Sequence, residues 1–168
     1  YLINRGSVVT QAMFYNCDHA MLRYNFYREP AVILGLFKKR LIMLIKINLL
    51  PAIVIAIGSI ILLCITDVGL VINYIMIPLF IIVLSVFFSV HYLVIYYLLQ
   101  PYNKDLQVRG VSYTFVSFIT LVLTYILSNL VMSSLYFSIF GIVLTIAYII
   151  GSLKLVYKYA PSTFRIHD

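Results

Sequence analysis

The sequence predicts an all-α, integral membrane protein. Four transmembrane helices follow an amphipathic helical segment at the cytoplasmic and interfacial side. Three features carry that expectation. Of the 168 residues, 64% are hydrophobic and only 10% are charged, whereas soluble domains carry about 25% charged residues. A water-soluble chain of this length has too much surface to clothe with so few polar side chains. Residues 47–66, 68–103 and 110–153 hold no Asp, Glu, Lys or Arg, and a helix needs about 20 such apolar residues to cross a bilayer. Finally, the basic residues gather only in alternate connecting segments.

The first element is polar. "NCDHAMLRYNFYREPAVILGLFKKR", residues 16–40, concentrates charge and aromatic rings. Glu29-Pro30 reads as a helix start, since Pro suits the first helical position and an acid favours the positive helix end. "AVILGLF" followed by Lys38, Lys39 and Arg40 then predicts a helix over 30–40 lying at the headgroups, its cations meeting anionic lipid, that bends into the first span while staying continuous or nearly so with it. Residues 1–28 are too polar for the apolar core of a cleavable signal. With Tyr1 in place of an initiator Met, the chain reads as part of a longer protein.

The spans follow. "INLLPAIVIAIGSIILLCIT" predicts a helix near 41–65, with Lys46 snorkelling back to the surface. The long run after Asp67 predicts one helix near 70–100, tilted or reaching past the headgroups. The run from 110 is too long for one helix, and "SNLVMSS" supplies a turn. That gives helices near 111–131 and 135–158. The chain thus divides into a cytoplasmic and interface segment (1–40), a four-helix transmembrane domain (41–158) and a cytoplasmic tail (159–168).

Orientation comes from the basic residues. Taken along the chain, the connecting segments hold 7, 0, 2, 0 and 3 Lys and Arg. Basic loops stay in the cytoplasm, so both ends are expected inside a cell (inner or plasma) membrane. Tyr92, Tyr96, Tyr97, Tyr102, Tyr113, Tyr157 and Tyr159 cluster at the same level, where a phenol keeps its ring apolar and its hydroxyl wet.

Motifs for chemistry are missing. No G-x4-G-K-[ST], G-x-S-x-G or H-E-x-x-H occurs, so the expectation is no enzyme, no cofactor and no nucleotide site in this chain. Cys17, Asp18 and His19 are adjacent, and neighbours point in different directions, unlike the spaced pairs of zinc sites. The expectation is a solvated shoulder or a docking surface, with no metal. The basic residues track the membrane edge and not a nucleic acid. Cys17 and Cys64 fall at opposite membrane faces, so no disulfide is expected.

Each span carries small or polar residues on one face: Asn48, Ala52, Ala56 and Ser59; Ser85, Ser89, Tyr92 and Tyr96; Ser117, Thr120, Thr124 and Ser128; Ser138, Gly141, Thr145, Tyr148 and Ser152. Such stripes let helices approach and bond across, and a solvated transport path uses the same residue types. Pro51 and Pro78 free the carbonyls of Ile47 and Tyr74, beside Asn48 and Asn73. His91 is the one non-Tyr ionisable group deep in a span, where His relays protons or bonds a neighbour. The candidates for path or packing are therefore Asn48, Pro51, Ser85, Ser89, His91, Thr120, Thr124 and Thr145.

"FYNCDHAMLRYNFYREPAVILGLFKKRL", then "INLLPA" and later "VHYLVIYYLLQPYNKDLQV", resembles a group of multispanning proteins from Gram-positive bacteria described as ABC-type exporter permeases. The resemblance covers residues 14–110. It implies a membrane permease subunit or fragment that moves a substrate outward, driven by a separate cytoplasmic ATPase, within a larger set of transmembrane helices of the same or a second chain. On that reading Arg23, Tyr24, Phe26, Tyr27 and Arg28 are the candidate docking residues for the ATPase. A non-transporting membrane scaffold or anchor module is the alternative.

The topology is testable by cysteine labelling in intact cells. A single cysteine at Asp67 or Ser133 is expected to react with an impermeant reagent and one at Lys104 to stay protected. Labelling at Lys104 contradicts the orientation.

Overall fold

The computed structural model describes residues 5–22, 24, 28–66, 70–102, 111–130 and 133–165. Among them the chain is helical, with no β-strand. The elements are α1 (Gly6–Met13), a π-helical turn (Phe14–Asp18), α2 (His19–Met21), α3 (Pro30–Thr66), α4 (Asn73–Leu99), α5 (Val111–Ser128) and α6 (Ser134–Thr163). Helices α3 to α6 are each long and apolar enough to cross a membrane. The protein is a multi-pass membrane protein with an N-terminal helix ahead of its spans.

The first span differs from its expected bounds. Segment 30–40 and the span 41–65 form one helix of 37 residues, starting at Pro30. Glu29 supplies the first carbonyl, accepting the Ile33 N–H at 3.0 Å. No Gly or Pro lies between Gly35 and Pro51, so nothing breaks the backbone ladder between the segment and the span. At 1.5 Å per residue the helix is about 55 Å long, more than the roughly 45 Å of a bilayer with its headgroups. Its basic first turns therefore extend beyond the hydrocarbon. Helix α4 begins at Asn73 and not at 70, because Leu70 to Ile72 form a turn closed by the Asn73 N–H on the Leu70 carbonyl at 2.8 Å. The Ser/Asn-rich turn separates α5 from α6 as expected. Helix α6 runs on through Pro161 to Thr163, past the expected end near 158.

Contacts order the two ends of the bundle. At one end Phe14 stacks on Tyr102 (ring centroids 5.0 Å apart) and Tyr97 stacks on Phe164 (4.4 Å). The N-terminal segment, the end of α4 and the end of α6 therefore meet there, as an even number of spans requires. At the other end the Tyr74 hydroxyl donates to the Leu63 carbonyl at 3.0 Å, and the Ser134 hydroxyl donates to Asn73.

The N-terminal segment is not a solvated shoulder. Thr10, Phe14, Asp18 and Leu22 are buried, one residue in every four along a single face. The wider π-helical turn keeps Phe14 and Asp18 on that face. Helix α1 lies on α4 so closely that a Cβ on Gly6 would sit 2.5 Å from the Tyr92 Cβ. Only glycine permits that approach. The Arg5 N–H also reaches the Asn48 side-chain oxygen at 3.3 Å. The segment is thus wedged against α3 and α4 along the length between Asn48 and Tyr102.

Candidate functional site

The strongest polar site lies at the end where the chain's basic residues gather. Asp18, at the end of the π-helical turn, is 0% exposed. Arg40 comes from α3, where the buried residues Phe37, Leu41 and Leu44 mark the inward face. Its Nη1 donates to Asp18 Oδ2 at 2.8 Å and to the Tyr97 hydroxyl at 2.9 Å. Its Nη2 donates to Asp18 Oδ1, so the guanidinium grips the carboxylate with both arms. The Tyr96 hydroxyl adds a third donor to Asp18, at 2.5 Å. The Arg40 side chain is only 14% exposed.

A carboxylate moved out of water needs a cation and further donors, because desolvation otherwise exceeds the attraction. Asp18 has both. The fork–carboxylate match is one that Lys, a point charge on a flexible stem, does not reproduce. Around the pair, Phe37 meets Tyr97 edge-on at 5.3 Å and Tyr96 meets Phe164 edge-on at 5.3 Å. The aromatic shell excludes water and joins α3, α4 and the end of α6.

This corrects the expectation for Arg40. Lys38 and Lys39 are exposed, but Arg40 turns inward. Its helical phase decides this: it stands one turn before Leu44 and three residues after Phe37, on the buried stripe. Cys17 is exposed, and His19 lays its ring edge-on to Phe14 at 5.9 Å. Asp18 and its two neighbours thus face three ways.

Beside the cluster, burial pushes the Tyr102 phenol up to about 12. It stays a neutral donor and reaches the Ser7 carbonyl at 3.5 Å. Gln100 ends α4 in the left-handed region at φ 35, a position usually held by Gly or Asn. Its buried amide has no partner among the described residues.

The other candidates fall into two groups. Asn48, Ser85 and Ser89 form a closed knot between α3 and α4. Asn48 Nδ2 donates to Ser89 Oγ (2.8 Å), Ser89 donates to the Ser85 carbonyl (2.8 Å), and Ser85 donates to the Asn48 carbonyl (3.1 Å). Pro51 sits half-buried one turn on, and Asn48 is turned across to α4. His91 bridges three helices. Its Nδ1 lies 2.9 Å from the Tyr148 hydroxyl and its Nε2 lies 2.9 Å from Thr120 Oγ1. Thr120 Oγ1 also lies 2.8 Å from the Val116 carbonyl. Both ring nitrogens of His91 are thus engaged, with the tautomer deciding which of them donates.

Thr124 and Thr145 stand apart from both groups, on a crevice between α4, α5 and α6. Of the docking candidates, Tyr24 is 64% exposed and Arg28 is exposed. Arg23, Phe26 and Tyr27 lie outside the described residues. Among the described residues no group of three His, Cys, Asp or Glu could hold a metal ion.

Set against protein-family models, curated proteins and solved structures, the chain matches none.

The Asp18–Arg40 pair predicts a mutational signature. Asp18→Asn leaves Arg40 buried without its counter-ion and is expected to cost about 3–5 kcal/mol. Adding Arg40→Met removes the stranded charge and is expected to restore most of that loss. Denaturant unfolding of the detergent-solubilised chain reads both. A double variant as unstable as the two single losses added together contradicts the pairing.

Proposed function

We propose that this chain is a permease subunit, or part of one, of an ABC-type exporter. It lies in the cell membrane with both ends cytoplasmic and moves its substrate with energy from a separate ATPase. The resemblance of residues 14–110 points to that class, and the distribution of Lys and Arg supports the orientation. The observation that carries the reading is the Asp18 joint. The N-terminal segment is tied through one carboxylate to α3 and α4, so a push on it is delivered to two spans at once.

Tyr24 and Arg28 are exposed on the stretch between that joint and α3. Together with Arg23, Phe26 and Tyr27 they form the docking surface. Aromatic and Arg side chains dominate interface energies, at about 2 kcal/mol or more each when central. ATP hydrolysis belongs to the partner in this reading. The outward faces of α5 and α6 receive lipid or further transmembrane helices.

A non-transporting scaffold is the second reading. It is favoured by the polar stripes, since Asn48, Ser85, Ser89 and His91 all spend their groups on neighbouring helices or their own backbone.

One experiment separates docking of the ATPase on this segment from packing of the same residues against the chain's own loop at Lys104 to Arg109. Tyr27→Ala with Arg28→Ala is expected to lower the ATPase recovered per mole of membrane-inserted chain and to uncouple ATP hydrolysis from transport. An unchanged ratio, with coupled activity intact, means that this segment is not the docking surface.

A further inference from the structure

Helix α4 stops against Pro101. The proline has no N–H to give the Tyr97 carbonyl four residues back. The Thr163 hydroxyl of α6 donates to that carbonyl instead, at 3.1 Å, and the Gln100 N–H closes on the Tyr96 carbonyl at 3.1 Å. The last turn of α4 is therefore fastened as far as Gln100, and the chain changes direction at that residue.

The turn runs against three local preferences. A residue before proline is pushed towards extended backbone, yet Gln100 stands at φ 35, ψ 78. That left-handed region is unfavourable for a residue with a Cβ, and Gly or Asn usually fills it. The Gln100 carboxamide is also buried with no partner among the described residues, so it forgoes the hydrogen bonds that water would give it. What the turn achieves is the placement of Tyr102. Its ring stacks on Phe14 at 5.0 Å and leans on Tyr96 at 5.8 Å. Its hydroxyl meets Thr10 and the Ser7 carbonyl. Tyr102 is 2% exposed, and Phe14 and Thr10 beneath it are buried. Strained backbone persists only where surrounding contacts over-determine it, and here those contacts belong to one ring two residues further on.

We propose that Gln100, Pro101 and Tyr102 form a strap that closes over Phe14 and Thr10 and opens by relaxation of Gln100 to extended backbone. Closing gains the apolar burial and stacking of Tyr102. Opening gains the geometry that Pro101 favours and hydrates the Gln100 amide. The two sets oppose each other at one turn, which is the condition for two populated states. The strap moves without the N-terminal segment, because Asp18 and the close approach of Gly6 to Tyr92 hold that segment independently. The inference uses no part of the transport reading.

Cysteine labelling of the full chain in nanodiscs reads the opening. In a Cys17→Ser, Cys64→Ser background, Thr10→Cys carries the sole thiol, and a water-soluble maleimide reaches it when Tyr102 lifts. The native Cys17, exposed on the same segment and left alone by Cys64→Ser, sets the unprotected rate. Thr10→Cys with Tyr102→Ala sets the rate under an open strap. Thr10→Cys by itself is expected to label measurably, but more slowly than either. Gln100→Gly accepts φ 35 and removes the amide. It is expected to slow the Thr10→Cys reaction a further fivefold to thirtyfold or about that, the relief of one left-handed residue, and to leave Cys17 unchanged. If Gln100→Gly inserts poorly, Gln100→Asn, also at ease in the left-handed region, gives the same comparison. An unchanged or faster Thr10→Cys rate in these variants overturns the proposal. So does a thiol that reacts only once Tyr102 is removed, or equal slowing at Cys17.

Discussion

A carboxylate buried beyond the reach of water has to be matched group for group, and Asp18 imposes that demand on the rest of the bundle. Its partners come from well-separated parts of the chain: Arg40 from α3 and Tyr96 from α4, with Tyr97 completing the guanidinium's contacts. Satisfying one residue therefore fixes where the N-terminal segment sits, how deep it runs and how α3 meets α4. Phe164, stacked on Tyr97, brings the end of α6 into the same arrangement. An apolar cluster in that place would tolerate sliding, since the hydrophobic effect has no direction. The forked ion pair does not, because sliding would break its paired hydrogen bonds.

Away from that end, the bilayer imposes a weaker version of the same rule. Polar groups within lipid must find partners inside the protein. The Asn48–Ser85–Ser89 knot and the His91 bridge meet that rule with hydrogen bonds that cross between helices. They also grade the strength of packing. Helices α3, α4 and α6 share buried faces, whereas α5 buries none of its residues and is tied to α4 by the His91–Thr120 bond. Of the four spans, α5 is the one that can shift with least loss of buried contact.

Much of this fold was legible in the sequence because hydropathy and charge are one-dimensional signals. The four spans, the turn near Ser133, the helix start at Pro30 and the meeting of both chain ends all follow from runs and counts. The site was less legible. Asp18 looked like one polar residue among several, and its partner stands 22 residues away on another helix. Arg40 was hidden by its neighbours Lys38 and Lys39, which point outward as a basic cluster should. A helical-phase reading puts Arg40 with Phe37 and Leu44 and is the signal that identifies it. The four-residue repeat of Thr10, Phe14, Asp18 and Leu22 carried the packing of the N-terminal segment. Its length and polarity masked it. The helix from Pro30 to Thr66 runs through Lys38, Lys39 and Arg40, because a basic cluster does not interrupt a helix.

The N-terminal segment, held by Asp18 and by the close approach of Gly6 to Tyr92, is a fixed part of the transmembrane bundle. Hydrogen exchange of the full chain in nanodiscs measures this. The amides of residues 6–18 are expected to exchange slowly, on the minutes-to-hours scale of local opening, in step with the last turns of α4. Complete exchange of those amides at the earliest times, while α4 remains protected, would contradict the account.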